Sequence, residues 1–239
     1  MEPLITSLPL IQCGNGKTAV KAGNHFSQKS GGGASSKTAE ADNSAKAVKP
    51  GSHKDIPFHY AQNTEGAIKE YSKLLNLPKG EVKEILESVR SFTGNSSGAI
   101  RHAEMTGEKS KDVDNINKFL DKAPKYKGTI YRGLKFGSEA EQQEFIASLK
   151  AGKPSLRAMS SFSSSFAIAK EFSTDRWGDI VPGVIVRVQK NKSGSSLNQI
   201  SGWDREKEVL VPKNTTFQVQ KVRDLKNGLV MVSVSEVPR

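Results

Sequence analysis

The sequence predicts an α+β fold, with a helical amino-terminal part followed by a two-sheet, mostly antiparallel or mixed β core. Three observations carry this. Apolar residues recur at helical spacing between positions 64 and 120, and strand-like alternation dominates after position 183. Helical segments thus cluster first and strands last, and no internal repeat interrupts that order.

The first 56 residues stand apart. Ser30-Gly31-Gly32-Gly33-Ala34-Ser35-Ser36 and the Ala/Lys/Ser run after it carry no apolar period. Such a segment buries too little surface to order itself, so 1–56 is expected to be a disordered leader and linker and 57–239 the folded domain. Leu4 to Ile11 is apolar but short, follows Glu2 rather than a basic stretch, and meets no small-residue cleavage site, which argues against a Sec signal peptide. Gln12 stands where a lipoprotein signal before Cys13 needs a small residue. Gly14-Asn15-Gly16-Lys17-Thr18 ends like a phosphate-binding loop. However, Ile11 occupies the position of that motif's first glycine, and no helical pattern follows.

From Pro57 onward each element has a local reason. Thr64 can cap a helix whose apolar face is Ala67, Ile68, Tyr71, Leu74 and Leu75. Pro78 suits a first helical position ahead of Val82, Ile85, Leu86 and Val89. A third helix reads from Lys111, with Val113, Ile116, Phe119 and Leu120 on one side. Gly128 to Leu134 reads as a strand, and Ser138-Glu139-Ala140-Glu141 as a capping box opening a helix through Leu149. Val184, Val186 and Val188 then alternate with Ile185 and Arg187. Glu208 to Val211, Phe217 to Val222 and Leu229 to Val234 follow as strands with turns between them.

Composition narrows the function classes. The 239 residues are 35% hydrophobic, with no apolar run long enough for a membrane span. One cysteine, Cys13, rules out an intrachain disulfide. The formal charge of +11 would attract anionic partners, but aromatics are only 7% and the lysines are dispersed. That pattern disfavours a nucleic-acid platform and suits a positive field for a dinucleotide substrate.

Three islands carry chemistry-bearing residues. In Ile130-Tyr131-Arg132-Gly133, a strand ends in a guanidinium able to grip phosphate, followed by a glycine that permits close approach of a ligand. In Met159-Ser160-Ser161-Phe162-Ser163-Ser164-Ser165, serines at a strand end can bond a ribose or hold a carboxylate. All four histidines lie upstream, and none is placed to activate a serine, so a serine hydrolase is a poor reading. The third island runs Ser201-Gly202-Trp203-Asp204-Arg205-Glu206-Lys207-Glu208-Val209-Leu210-Val211-Pro212. Residues two apart on a strand point to the same face, so Glu206 and Glu208 are expected to project together, about 7 Å apart. Two carboxylates at one cleft edge suit chemistry that passes through a cationic sugar centre.

In order and spacing the islands resemble the arginine-serine-glutamate class of bacterial mono-ADP-ribosyltransferases, including type III effectors and the catalytic domains of binary actin-modifying toxins. The resemblance spans about 57–236. It implies the ADP-ribosyltransferase fold, NAD as co-substrate and no metal. Under it, Arg132 binds a phosphate or ribose of NAD and braces the pocket, with Gly133 beside it. Ser161, or Ser163 in a register shifted by two, orients NAD and the catalytic glutamate; Phe162 departs from the family's threonine between them. Glu208 is the catalytic glutamate and Glu206 the first of the Glu-X-Glu pair that accompanies transfer to arginine. Trp203 takes the aromatic position that recognises the protein substrate, and Arg176 and Trp177 fall in a loop over the cofactor.

A protein-arginine mono-ADP-ribosyltransferase is therefore expected, acting on a host protein whose arginine is accessible. The leader suggests a non-Sec, type III route into the host cytoplasm, with residues 1–56 available to a secretion chaperone. The alternatives are an NAD glycohydrolase, a phage-type enzyme acting in the bacterial cytoplasm, and a non-catalytic module on the same fold.

Overall fold

Among the described residues helices come first, and apolar spacing accounts for three of the first four. The computed structural model describes residues 64–174, 181–201 and 203–237; the expected leader and linker, 1–56, lies outside the described residues. Helix α1 (Thr64–Leu75) buries Ala67, Tyr71 and Leu75, whereas Leu74, expected on the same face, is exposed. Helix α2 (Lys79–Thr93) starts one residue later than expected, because Pro78 sits at its cap in an extended conformation. It buries Val82, Ile85, Leu86, Val89 and Phe92. Helix α4 (Lys111–Lys122) opens on Ser110, whose hydroxyl accepts the Val113 N–H at 3.4 Å, and packs Val113, Ile116, Phe119 and Leu120 inward. Each fully buried Ile, Leu or Phe contributes about 1.5–3 kcal/mol, so Ile85→Ala would cost about 2–5 kcal/mol.

Helix α3 (Ser97–Thr106) has no such signal. It opens amid Gly94-Asn95-Ser96-Ser97-Gly98, and two of its buried residues, Arg101 and Glu104, are charged. It ends where Gly107 turns left-handed (φ 77°) and donates its N–H to the Ala103 carbonyl at 2.9 Å.

Among the described residues seven strands follow, with two further helices between them: β1 (Ile130–Lys135), β2 (Ser160–Ser163), β3 (Gly183–Val188), β4 (Ser195–Ser196), β5 (Glu208–Val211), β6 (Phe217–Asp224) and β7 (Leu229–Glu236). They form a mixed sheet in the order β4-β5-β2-β1-β3-β7-β6, parallel only between β3 and β7. The expected two sheets are hydrogen-bonded into one. The join is narrow: β1 meets β2 at Tyr131↔Ser163, while it runs beside β3 from Ile130↔Val188 to Lys135↔Gly183.

Both faces of the sheet are covered. Helices α1 to α4 share a core with Met159, Leu197 and Leu210. On the other face, Phe162, Val209 and Val211 pack with Phe145, Ile146 and Leu149 of helix α5 (Glu139–Ala151). Ser138 caps α5, its hydroxyl accepting the Glu141 N–H at 3.2 Å, while the Glu141 carboxylate reaches one residue past the cap to accept the Gly137 N–H at 2.9 Å. Helix α6 (Phe166–Ser173) lies directly on β1. A Cβ at Gly133 would stand 1.9 Å from the Ala169 carbonyl oxygen, so glycine is required there for packing. The close approach that Gly133 permits is made here by α6.

Candidate active site

Strands β2 and β5 run antiparallel, with Ser161 opposite Leu210 and Ser163 opposite Glu208. Alternation puts Ser161, Ser163, Leu210 and Glu208 on one face and Phe162 and Val209 on the other. Glu208 is the first residue of β5 and only 6% exposed, with the Ser161 hydroxyl hydrogen-bonded to its carboxylate. Val209 and Val211 are fully buried and anchor the strand behind it.

Glu206 is not on that strand, which corrects the simple two-apart geometry. It ends a short 3₁₀ turn, Asp204–Glu206, and Lys207 between the two glutamates is left-handed (φ 48°). A lysine there costs about 1 kcal/mol, and hydrogen bonds from β2 hold the kink. The Ser163 hydroxyl donates to the Glu206 carbonyl at 2.7 Å, and the Ser164 N–H donates to the Lys207 carbonyl at 2.9 Å. The two serines therefore divide the work: Ser161 serves the Glu208 carboxylate, and Ser163 the backbone that presents Glu206.

The two carboxylates are close enough to repel. Burial pushes Glu208 up to about 7, opposed by the Ser161 hydrogen bond; the Glu206 charge pushes it further up, and the Arg101 charge pulls it down. Burial also raises Glu206, opposed by Arg205. One carboxylate is thus sealed in the sheet, and the other stands half-buried at its mouth.

Trp203 lies just outside, 50% exposed, with its N–H donated to the Ser201 hydroxyl at 3.1 Å and its carbonyl accepting the Glu206 N–H at 3.0 Å. An indole this open, built into the turn that carries Glu206, is placed to meet an incoming surface.

Because Tyr131 pairs with Ser163, the next residue of β1 leaves the strand on the face of Phe162, and the Arg132 guanidinium carbon stands 5.8 Å from that ring's centroid. Phe162 is both a core residue and the platform for Arg132. Arg176 and Trp177 lie outside the described residues.

Arg101 is the site residue that sequence reasoning missed. Its charge bears on Glu208 from α3, a helix without an apolar period. No group of three or more His, Cys, Asp or Glu among the described residues is arranged to hold a metal. No described helix is long and apolar enough to cross a membrane.

Solved structures share this architecture. Vis toxin, an ADP-ribosyltransferase from Vibrio splendidus, is 20% identical over 78% of this chain and 89% of its own, with a TM-score of 0.51. HopU1, an ADP-ribosyltransferase of Pseudomonas syringae pv. tomato, is 14% identical over 72% and 87%, with a TM-score of 0.53. Exoenzyme S of Pseudomonas aeruginosa, solved with human 14-3-3 protein beta and carba-NAD, is 17% identical over 64% and 74%, with a TM-score of 0.51. No curated protein matches the sequence. At these identities the likeness is one of fold. The sequence itself goes further: residues 68–234, from within α1 to within β7 and including both glutamates, match the family described as ADP-ribosyltransferase exoenzyme, and the chain belongs to that family.

Proposed function

We propose that this protein transfers ADP-ribose from NAD to an arginine side chain of a target protein, releasing nicotinamide. The observation that carries the reading is the asymmetric carboxylate pair. Glu208 is buried against the Ser161 hydroxyl, and Glu206 is held half-buried at the mouth beside exposed Trp203.

The chemistry follows from that asymmetry. The bond between the nicotinamide nitrogen and ribose C1′ breaks with its electron pair leaving on nicotinamide, so positive charge builds on the ribose. A carboxylate in a water-poor site steadies that charge far better than one in bulk water. Glu208 takes this role in its ionised form, with Ser161 fixing its orientation. The target guanidinium is protonated at neutral pH and a poor nucleophile. Glu206 orients it and accepts a proton as the new C1′–N bond forms. Trp203 contacts the target surface around that arginine. The Arg132–Phe162 contact supports the bracing half of the role expected for Arg132.

The acceptor is placed in a host cell, reached by a type III route that residues 1–56 direct. The family and the 14-3-3 complex of exoenzyme S support a host-protein partner. Export of a reporter fused to residues 1–50 should depend on the secretion apparatus; export without it would sink the route.

The test of the enzyme is direct. Host lysate incubated with labelled NAD and the protein should yield a labelled band, and mass spectrometry should place ADP-ribose on arginine. Glu208→Gln should abolish both labelling and nicotinamide release. Nicotinamide release without any labelled protein would instead establish a glycohydrolase.

A further inference from the structure

Four large apolar side chains stay exposed among the described residues: Leu74, Phe166, Phe172 and Trp203. Two of them, Trp203 and Phe166, adjoin the turn that carries Glu206. Trp203 leads into that turn, and its carbonyl accepts the Glu206 N–H at 3.0 Å. Phe166 arrives from the β2 side. The Ser163 hydroxyl, which donates to the Glu206 carbonyl at 2.7 Å, accepts the Ser165 N–H at 3.0 Å, and the Ser164 hydroxyl donates to the Lys207 carbonyl at 3.3 Å. Phe166 follows at once as the first residue of α6, its Cα at most about 7 Å from that of Ser164.

The strand register fixes the face. Tyr131 pairs with Ser163 and Ser163 with Glu208, so the three side chains stand in one row on one face. Two strand spacings separate Tyr131 from Glu208, about 10 Å. The Phe166 ring packs edge-on against Tyr131, with centroids 5.6 Å apart and planes at 78°. That contact covers only part of the ring, which is left 39% exposed and joins none of the core clusters. Phe166 therefore belongs to the face that bears Glu208, beside the open turn. A ring held by one aromatic neighbour and open on its other side loses little freedom when a partner covers it.

The charges of the turn select as well. With Glu206 taken up by an entering guanidinium, Arg205 and Lys207 remain exposed on either side of it. Asp204 offsets one of them, and the chain as a whole carries +11. Such a rim favours carboxylates on the surface that meets it.

We propose that Phe166 joins Trp203 as the second aromatic contact of a target-binding rim around Glu206, and that this rim fits an arginine with an apolar side chain and carboxylates beside it on the target surface. The proposal rests on the transfer to arginine proposed above and names the kind of arginine that qualifies.

Four blocked acceptors test it, with labelled NAD and the full chain. One is N-acetylarginine amide; the others are short peptides whose central arginine has only glycine neighbours, an added leucine, or an added leucine and two glutamates. The leucine should raise kcat/KM about tenfold over the glycine peptide. The glutamates should add a several-fold gain that fades at about 0.5 M salt, while the leucine gain persists. In Phe166→Ala the leucine gain should shrink to about twofold, and in Phe166→Tyr it should be kept. A leucine peptide no better than the glycine peptide would overturn the proposal, as would a leucine gain that survives in Phe166→Ala. Glutamates without effect would strike the carboxylates from it. An equal loss on every acceptor, carried by KM for NAD, would make Phe166 a grip on the dinucleotide and overturn the rim. If Phe166→Ala is unfolded by circular dichroism, Phe166→Gln is judged by the same ratio. Nicotinamide release with no acceptor labelled, N-acetylarginine amide included, overturns the function proposed above, whereas equal labelling of all four overturns the rim alone.

Discussion

The strand mouth at Glu208 and the turn from Trp203 to Glu206 adjoin in sequence and differ in almost every physical respect. Glu208 is enclosed by the sheet and backed by fully buried Val209 and Val211, with a hydroxyl from the neighbouring strand. The turn is open, led by a half-exposed indole, and joined to the strand through a left-handed lysine. A reaction that makes a sugar cation needs a rigid, dry wall for one partner. The same reaction must admit a protein side chain as the other, which needs an open edge. In the reaction proposed here, the kink at Lys207 would let one Glu-X-Glu stretch serve both.

The sharpest way to break this comparison is Glu208→Gln. NAD cleavage should fall about 10³-fold or more, because the carboxylate acts where charge develops; turnover of labelled NAD close to the parent rate would refute the assignment. The variant also has a stability signature. Burial pushes the Glu208 carboxyl from its ordinary 4.5 up to about 7 in the folded chain, so its contribution to stability is full below about 4.5 and lost as pH rises through about 7. The loss amounts to about 3 kcal/mol at alkaline pH. Glutamine removes it, so the variant should gain Tm over the parent between about pH 5 and about pH 8. A pH-independent difference would show that burial does not strain this charge.

Next in size is Glu206→Gln. Arginine transfer should drop about 10²-fold while NAD hydrolysis stays within about threefold, since the proton acceptor is lost and the sugar wall is kept. Equal losses in both assays would mean that the two carboxylates act as one unit. Ser161→Ala should cost about tenfold and move the acid limb of NAD cleavage upward, because its hydrogen bond favours the ionised form of Glu208. A pH profile parallel to the parent's would argue that Ser161 only fills space. The smallest effect belongs to Trp203→Ala, with KM for a protein acceptor raised several-fold, about 1 kcal/mol, and NAD hydrolysis unchanged. An unaltered KM would remove the turn from target recognition.

Much of this organisation was legible in the chain. Val82, Ile85, Leu86 and Val89 sit at helical spacing, Val184, Val186 and Val188 at strand spacing, and Ser138 with Glu141 at capping distance; each is a local pattern with a local cause. The three islands were legible too, because the residue types demanded by the chemistry lie in order along the chain. Helix α3 was not, since Arg101 and Glu104 are charged residues turned inward, and the hydrogen-bond partners of Glu104 lie just before β2 and just after β5. Gly133 was legible as a glycine but not for its reason, which is a helix carbonyl from residues that follow it.

By itself, then, the sequence determined the α+β order and most of the elements, and it singled out Ser161 or Ser163, Glu206 and Glu208 as candidates. These depend on spacing, turn chemistry and residue type, all of which act between near neighbours. Only the tertiary structure decided that β1 and β2 join the strands into one sheet at Tyr131 and Ser163, that Glu206 stands off the strand, and that Arg132 seats on Phe162. It alone brought Arg101 to bear on Glu208 from a helix more than a hundred residues earlier. The physical reason is the same in each case. Burial and charge compensation depend on which distant segments share a wall, and nothing in the local pattern encodes that.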